Sequence, residues 1–374
     1  MEDLTIDDNI QTGIITNKRM EPLLKYLLKE DITDVDWNGR DLVIRTIYRE
    51  NIKVDKKEHN INPEFIENFT QHVANSVSKH FNKSTPKLDA KVGLYRIRAI
   101  HQSAAPLGTC LFIRKTTTVP RLSYSKIIKQ GYCTENILNF LINCYYAKIN
   151  MMIAGEPGLG KTEFGKFFSL FSPNDERVVL IEEEQEWHLA DLKPDGDIVE
   201  FVVSKNFTYD EALESTLRMG TKRVMIPEVK DIEVMPLLKC WMQGAKGITS
   251  THTDDVRKIP DRLLSLMPTR EDAERKKNSV YECLEIGILL SEKIDENENK
   301  KRVVEQLCIF YRDVDLGKNK THMIIEDCRV IDDTIPEFIK KKLYDKNIIN
   351  PYELYEPLWN IVNHYEEGAD EEEH

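Results

Sequence analysis

The stretch Met151-Met152-Ile153-Ala154-Gly155-Glu156-Pro157-Gly158-Leu159-Gly160-Lys161-Thr162 decides the fold. Its last eight residues match the spacing G-x-x-x-x-G-K-[ST]. The four before them read as a buried strand, and Glu163 to Phe171 has the spacing of an amphipathic helix. The glycines let backbone N–H groups wrap the β- and γ-phosphates of a nucleotide. Lys161 supplies a point charge, and Thr162 offers its hydroxyl to Mg²⁺ at a helix start, an end that already favours anions. Taken alone, the pattern is compatible with an ordinary glycine-rich turn; strand and helix on either side make it a nucleotide-site signature.

Working outward, three further apolar runs share one property. Val178-Val179-Leu180-Ile181 ends in Glu182, Arg223-Val224-Met225-Ile226 ends in Pro227-Glu228, and Gly247-Ile248-Thr249-Ser250-Thr251 ends in His252. Compact apolar runs alternating with helical spacing predict a mainly parallel sheet with crossover helices, and such sheets bind ligands at the carboxyl ends of their strands. A Mg-nucleotide also needs a carboxylate near the metal and a group that polarises the attacking water. Glu228 is the first candidate, Glu182 or Glu183 the second; the neighbouring Glu184 and Glu186 read as solvated charge. His252 is a candidate γ-phosphate sensor. Leu284 to Ser291 and Val303 to Arg312 read as paired strands that extend the sheet, joined by a polar loop at 295–301.

The first 120 residues have a different texture. Leu42 to Ile47 reads as a strand after the turn Asn38-Gly39, Pro63 to Lys79 as a helix, and Leu94 to His101 and Thr109 to Arg114 as a strand pair. The expected organisation is an α+β domain over 1–120, a linker over 121–133, a phosphate-loop domain over 134–325, and a helical extension with an acidic tail over 326–374. The chain has 374 residues, with 41% hydrophobic and 31% charged residues, the composition of an ordinary globular protein. Its 52 Lys and Arg against 64 Asp and Glu leave a net charge of -12, which disfavours general nucleic-acid binding. The acidic opening from Met1 to Asp8 does not read as a signal peptide, and no stretch has the roughly 20 mostly apolar residues a spanning helix needs. Seven scattered cysteines without a CxxC pair point to reduced thiols in the cytoplasm, and away from a zinc site.

These residues resemble the secretion ATPases of the type II/type IV secretion and type IV pilus superfamily, within it the branch of type IV secretion and conjugation ATPases. After the phosphate loop, Leu180-Ile181-Glu182-Glu183-Glu184-Gln185-Glu186-Trp187 looks like the family's acidic box. Leu217-Arg218-Met219 leading to Pro227-Glu228-Val229-Lys230-Asp231-Ile232-Glu233 is similar to its second acidic stretch. Gly244-Ala245-Lys246-Gly247-Ile248-Thr249-Ser250-Thr251-His252-Thr253 looks like its histidine box. Ile32 to Val35, Pro86 to Ala90, Arg96 and Ile113-Arg114-Lys115 stand in the order of the family's N-terminal domain.

The resemblance implies an N-terminal α+β domain followed by a RecA-like phosphate-loop domain with a mainly parallel sheet, assembled as a homo-hexamer that binds and hydrolyses ATP with Mg²⁺. It implies a nucleotide between the two domains, reached by Arg114 and by Arg96 or Arg98, with Glu228 as the catalytic or metal-linked glutamate and Thr162 and Glu182 as metal-linked groups. It further implies partners in a secretion or conjugation apparatus at the inner membrane face, a cytoplasmic location peripheral to that membrane, and no direct sequence-specific contact with nucleic acid. Pro227 replaces the glycine before the catalytic glutamate, Ala245 the first histidine of the histidine box, and Lys230 an arginine; the upstream Pro-Asp pair reads Thr221-Lys222. These departures open a second reading, a catalytically weak ATP-binding regulatory or assembly module. A small-molecule or nucleotide kinase is a third, but its arginine-rich lid is missing, since Glu163 to Trp187 contains only Arg177.

Overall fold

A computed structural model describes residues 17–47, 50–231, 233–267, 272–295 and 300–370. The opening octapeptide, Ile232, most of the polar loop at 295–301 and the last four residues of the acidic tail lie outside the described residues. The chain divides into two compact units, Met1–Thr117 and Thr118–His374.

In the first unit, α1 (Asn17–Leu27) and α2 (Pro63–Ser76) accompany six strands: β1 (Ile32–Trp37), β2 (Leu42–Thr46), β3 (Asn51–Lys53), β4 (Lys87–Val92), β5 (Tyr95–Ile100) and β6 (Cys110–Lys115). They form one sheet in the order β3-β2-β1-β6-β5-β4, every neighbouring pair antiparallel. The turn into β2 is set by Asn38, whose Oδ1 accepts the N–H groups of Arg40 and Asp41, with Gly39 at φ 92°. Alternation then sorts the side chains. Val35, Trp37, Leu42, Ile44, Ile97, Ala99, Leu111 and Ile113 pack with Leu23 and Leu27 of α1 and Ile66, Phe69 and Val73 of α2. Residues between them, including Arg96, Arg98 and Arg114, fall on the opposite face.

The second unit begins at Thr118, three residues before the segment read as a linker, and that segment is not a plain linker. Its residues Tyr124–Lys129 form α3, with Ser123 accepting the Lys126 N–H as N-cap and Ile127 fully buried. The Thr- and Pro-rich run before Ser123 hides a helix too short to show its own period. Next come α4 (Glu135–Tyr146), β7 (Met151–Ala154), α5 (Lys161–Ser169), β8 (Val178–Glu182), α6 (Leu189–Leu192), β9 (Ile198–Val202), α7 (Tyr209–Thr216) and β10 (Arg223–Met225). They are followed by α8 (Val234–Met242), β11 (Ile248–Thr251), α9 (Ile259–Leu266), α10 (Ala273–Cys283), β12 (Ile286–Ile294), β13 (Lys300–Asp313), β14 (Lys318–Glu326), β15 (Arg329–Val330), α11 (Glu337–Tyr344) and α12 (Trp359–Asp370).

Two ladders, β10-β8-β9 and β11-β7-β12-β13-β14-β15, are joined by parallel bridges Arg223–Lys246 and Ile226–Thr249. The sheet therefore reads β9-β8-β10-β11-β7-β12-β13-β14-β15, parallel from β9 to β12 and antiparallel beyond. The join needs Gly247, where a Cβ would lie 1.9 Å from the Val224 carbonyl oxygen. Both faces are covered, which is why the inner strands are apolar without alternation. Met151, Ile153, Val178, Leu180 and Ile288 face α4, α5, α11 and α12, while Met152, Ala154, Val179, Ile181 and Val224 face α7 to α10.

A buried ion pair fixes the start of β10. Arg223, 1% exposed, gives Nε to Glu176 at 2.9 Å, and its terminal nitrogens donate to the Tyr145 and Tyr146 carbonyls at 2.7 and 3.0 Å, the guanidinium 4.6 Å from the Tyr145 ring centre. Each of its three nitrogens donates to a partner, one of them a carboxylate, the condition under which a buried charge is tolerated. The acidic tail is also put to use, since Glu366 accepts the Ser125 N–H at 2.7 Å and its hydroxyl at 2.6 Å, an anion at the N-terminus of α3.

Candidate functional site

Gly155, Gly158 and Gly160 have φ of 139°, 81° and 86°, the left-handed region that an L side chain rarely enters. A Cβ on Gly155 would also lie 2.5 Å from the Leu290 carbonyl oxygen, so the loop leaves β7 pressed against β12. Gly160 is the N-cap of α5, and Lys161 and Thr162 open its first turn, where N–H groups have no partner within the helix. These features make a concave anion nest, and the motif residues Gly155, Glu156, Pro157, Gly158, Leu159, Gly160, Lys161 and Thr162 fit a nucleotide's phosphates.

Lys161 curls back into this loop. Its Nζ donates to the Gly155 carbonyl at 2.8 Å and the Glu156 carbonyl at 3.0 Å, and lies 3.2 Å from His252 Nδ1. Burial lowers its pKa to about 8, with Glu228 pulling the other way. His252 Nε2 stands 2.6 Å from Glu228 Oε1. A carboxylate only accepts, so Nε2 carries the proton there, and in the neutral ring Nδ1 is left to accept from Lys161. Doubly protonated, the ring donates instead to the Gly155 carbonyl, 3.0 Å from Nδ1. The ends of β7, β10 and β11 thus bring a lysine, a glutamate and a histidine into one hydrogen-bonded chain. Glu228 is held by its neighbours: the Val229 N–H donates to the Ser250 carbonyl at 2.9 Å, and the Ser250 hydroxyl to the Pro227 carbonyl at 2.7 Å.

The acidic run after β8 is placed otherwise than its spacing suggests. Glu182 is 2% exposed, and its Oε1 accepts the N–H groups of Glu186 and Trp187, both at 3.1 Å. Burial raises its pKa to about 8 despite those two donors. Glu182 closes its own loop, and Trp187 at the loop's end lies against α5 at Gly165, where a Cβ would meet its ring at 2.8 Å. Glu183 is 57% exposed with Lys230 Nζ at 3.4 Å, a surface pair worth roughly 0–1 kcal/mol. Among the described residues no cluster of three His, Cys, Asp or Glu side chains is set to hold a metal. A Mg²⁺ would rely on the Thr162 hydroxyl and on phosphate oxygens, the usual habit of that ion.

Arg114, Arg96 and Arg98 belong to the first unit. Register places Arg45, Asp34, Arg114, Arg96 and Lys91 in one row across β2, β1, β6, β5 and β4. Asp34 Oδ1 accepts from Arg114 Nε at 2.9 Å, and Asp89 pairs with Arg98. Arg96 and Arg114 are directly opposed, with the Asp34 carboxylate next in the row beyond Arg114.

The profile of the family described as Type II/IV secretion system protein matches residues 87–329, more than half of the chain. The chain belongs to that family. An uncharacterised protein of Bacillus anthracis is 27% identical over 261 residues, covering 70% of this chain and 57% of the relative. The type IV secretion system protein VirB11 of Bartonella henselae is 28% identical over 156 residues, covering 39% of this chain and 43% of the relative. The chain thus spans about half the length of the curated relatives it matches. The crystal structure of the Legionella pneumophila ATPase DotB superposes with a TM-score of 0.60 at 15% identity, covering 81% of this chain and 83% of that one. The shared fold is the two-domain α/β architecture that the sequence predicts.

Sequence reasoning did not find the contact of Lys161 with His252, the loop-closing use of Glu182, or Arg302. The last stands on β13 beside the phosphate loop, and its signal was the cation run Lys300-Lys301-Arg302 opening a strand of the same sheet.

Proposed function

We propose that the chain is a Mg²⁺-dependent ATP hydrolase of a type IV secretion or conjugation apparatus, acting as a homo-hexamer on the cytoplasmic face of the membrane through apparatus partners. The observation that carries the reading is the chain Lys161–His252–Glu228 at the mouth of a phosphate loop, one group from the first turn of α5 and two from the segments that follow β11 and β10. In this reading incoming phosphates draw Lys161 off the Gly155 and Glu156 carbonyls, which frees His252 Nδ1 and couples phosphate occupancy to the Glu228 contact. Glu228 then orients the attacking water, and His252 reports on the γ-phosphate. Bound Mg²⁺ would supply neutralisation of charge on the β- and γ-phosphates. Glu228 takes the catalytic part ahead of Glu182, whose Oε1 is already held by two amides, and ahead of the exposed Glu183. Arg114, with Arg96 or Arg98, is assigned to the phosphates on the family resemblance.

Membership of the secretion family supports the apparatus assignment. The second reading, an ATP-binding module with weak turnover, is favoured by Pro227, which removes a backbone donor beside Glu228. Lys161→Ala separates the nucleotide claim from everything else. It should abolish MgATP binding in isothermal titration, and wild-type affinity in that variant would overturn the phosphate-loop assignment.

A further inference from the structure

β12 runs beside β7 as far as the pair Leu289–Ala154, where β7 ends and the phosphate loop begins. β12 continues to Ile294, paired with β13 through Ser291–Val303 and Glu292–Arg302. At about 3.3 Å per residue, Arg302 is carried roughly 10 Å past the end of β7, level with the loop. There it meets Gly160: a Cβ on that glycine would lie 3.8 Å from Arg302 Cδ and 4.0 Å from both Nε and Nη1. The strand order β11-β7-β12 puts His252 and Glu228 on one flank of the loop and Arg302 on the other. The guanidinium thus lies beside the N-cap of α5, the helix end that favours anions. These are ordinary contact distances, so the arginine packs directly on the loop, and glycine is required at 160 by its φ of 86°.

We propose that Arg302 is an intrachain phosphate ligand for the α- and β-phosphates of the nucleotide. The inference rests on the nucleotide reading above. The γ-phosphate flank is taken by Lys161, His252 and Glu228, whereas Arg302 covers the last glycine before the helix, over phosphates that a diphosphate and a triphosphate share. A guanidinium offers paired donors to phosphate oxygens, and such charge-assisted bonds are about twice as strong as neutral ones.

The test is isothermal titration of the full chain with MgADP and with MgATPγS, for wild type, Arg302→Ala, Arg302→Gln and Arg302→Lys. Arg302→Ala and Arg302→Gln should each raise Kd about tenfold or more for both ligands by the same factor, and Arg302→Lys should recover part of the loss. A merely structural arginine would not produce charge rescue or an equal effect on both nucleotides. Wild-type MgADP affinity in either neutral variant, or a loss confined to MgATPγS, would overturn the inference while leaving the nucleotide site intact. Failure of wild type to bind either ligand would overturn the nucleotide reading, and this inference with it.

Discussion

Single side chains here carry charge into places where its cost can be measured. Lys161 was legible as a site residue from the spacing of the phosphate loop, and Glu182 because it ends a strand. Their partners were not, since no spacing shows that Lys161 meets His252 or that Glu182 folds back on its own loop. Asp36 gives a clean test of burial as the dominant force on a charge. It sits on β1 with Arg45 at 3.2 Å, Asp34 and Arg114 nearby, and burial still outweighs both arginines and raises its pKa to about 6. The folded state therefore holds a proton that the unfolded state releases near pH 4. Stability from this group is fully present below about pH 4 and is lost as pH rises through about 6. Asp36→Asn should stabilise the protein at pH 7 by an amount on the order of 2 kcal/mol and have little effect at pH 4. Thermal melts of both proteins across pH 4–7 check this; parallel curves would show that the charge is not the cause.

At the scale of elements, strands buried on both faces or alternating cleanly between a buried and an exposed face were legible, and strands that do neither were not. β7, β8, β10 and β11 are continuous apolar runs, so their ends and the site residues on them could be placed from sequence. β9 and β14 mix polar and apolar residues with half-exposed side chains, and neither appeared as a strand before the structure. The cation run at Arg302 could not be interpreted for a related reason: its meaning depends on β12 lying next to β7, which is a fact of strand order and not of spacing. Arg223 anchors the element that carries Glu228. Arg223→Leu leaves Glu176 buried with only Lys148 and takes a donor from each of the Tyr145 and Tyr146 carbonyls, and should cost about 3–5 kcal/mol. In a unit of this size that lowers the melting temperature by roughly 10 °C. Lys148→Ala, which removes only the more exposed partner, should cost less than about 1 kcal/mol; equal losses would show that the guanidinium network is not the anchor.

For the whole molecule, two compact units with separate cores and a family of secretion proteins lead to one claim: ATP turnover in a ring. Light scattering with and without MgATP should give the mass of a hexamer, and a monomer under both conditions would contradict the ring. The central claim is tested most directly by measuring MgATP binding and turnover of wild type beside Glu228→Gln. The account predicts hydrolysis by wild type, and in the variant an affinity within about threefold of wild type with a kcat at least about 100-fold lower, the usual weight of a group that positions the attacking water. Equal turnover in the two proteins would contradict it.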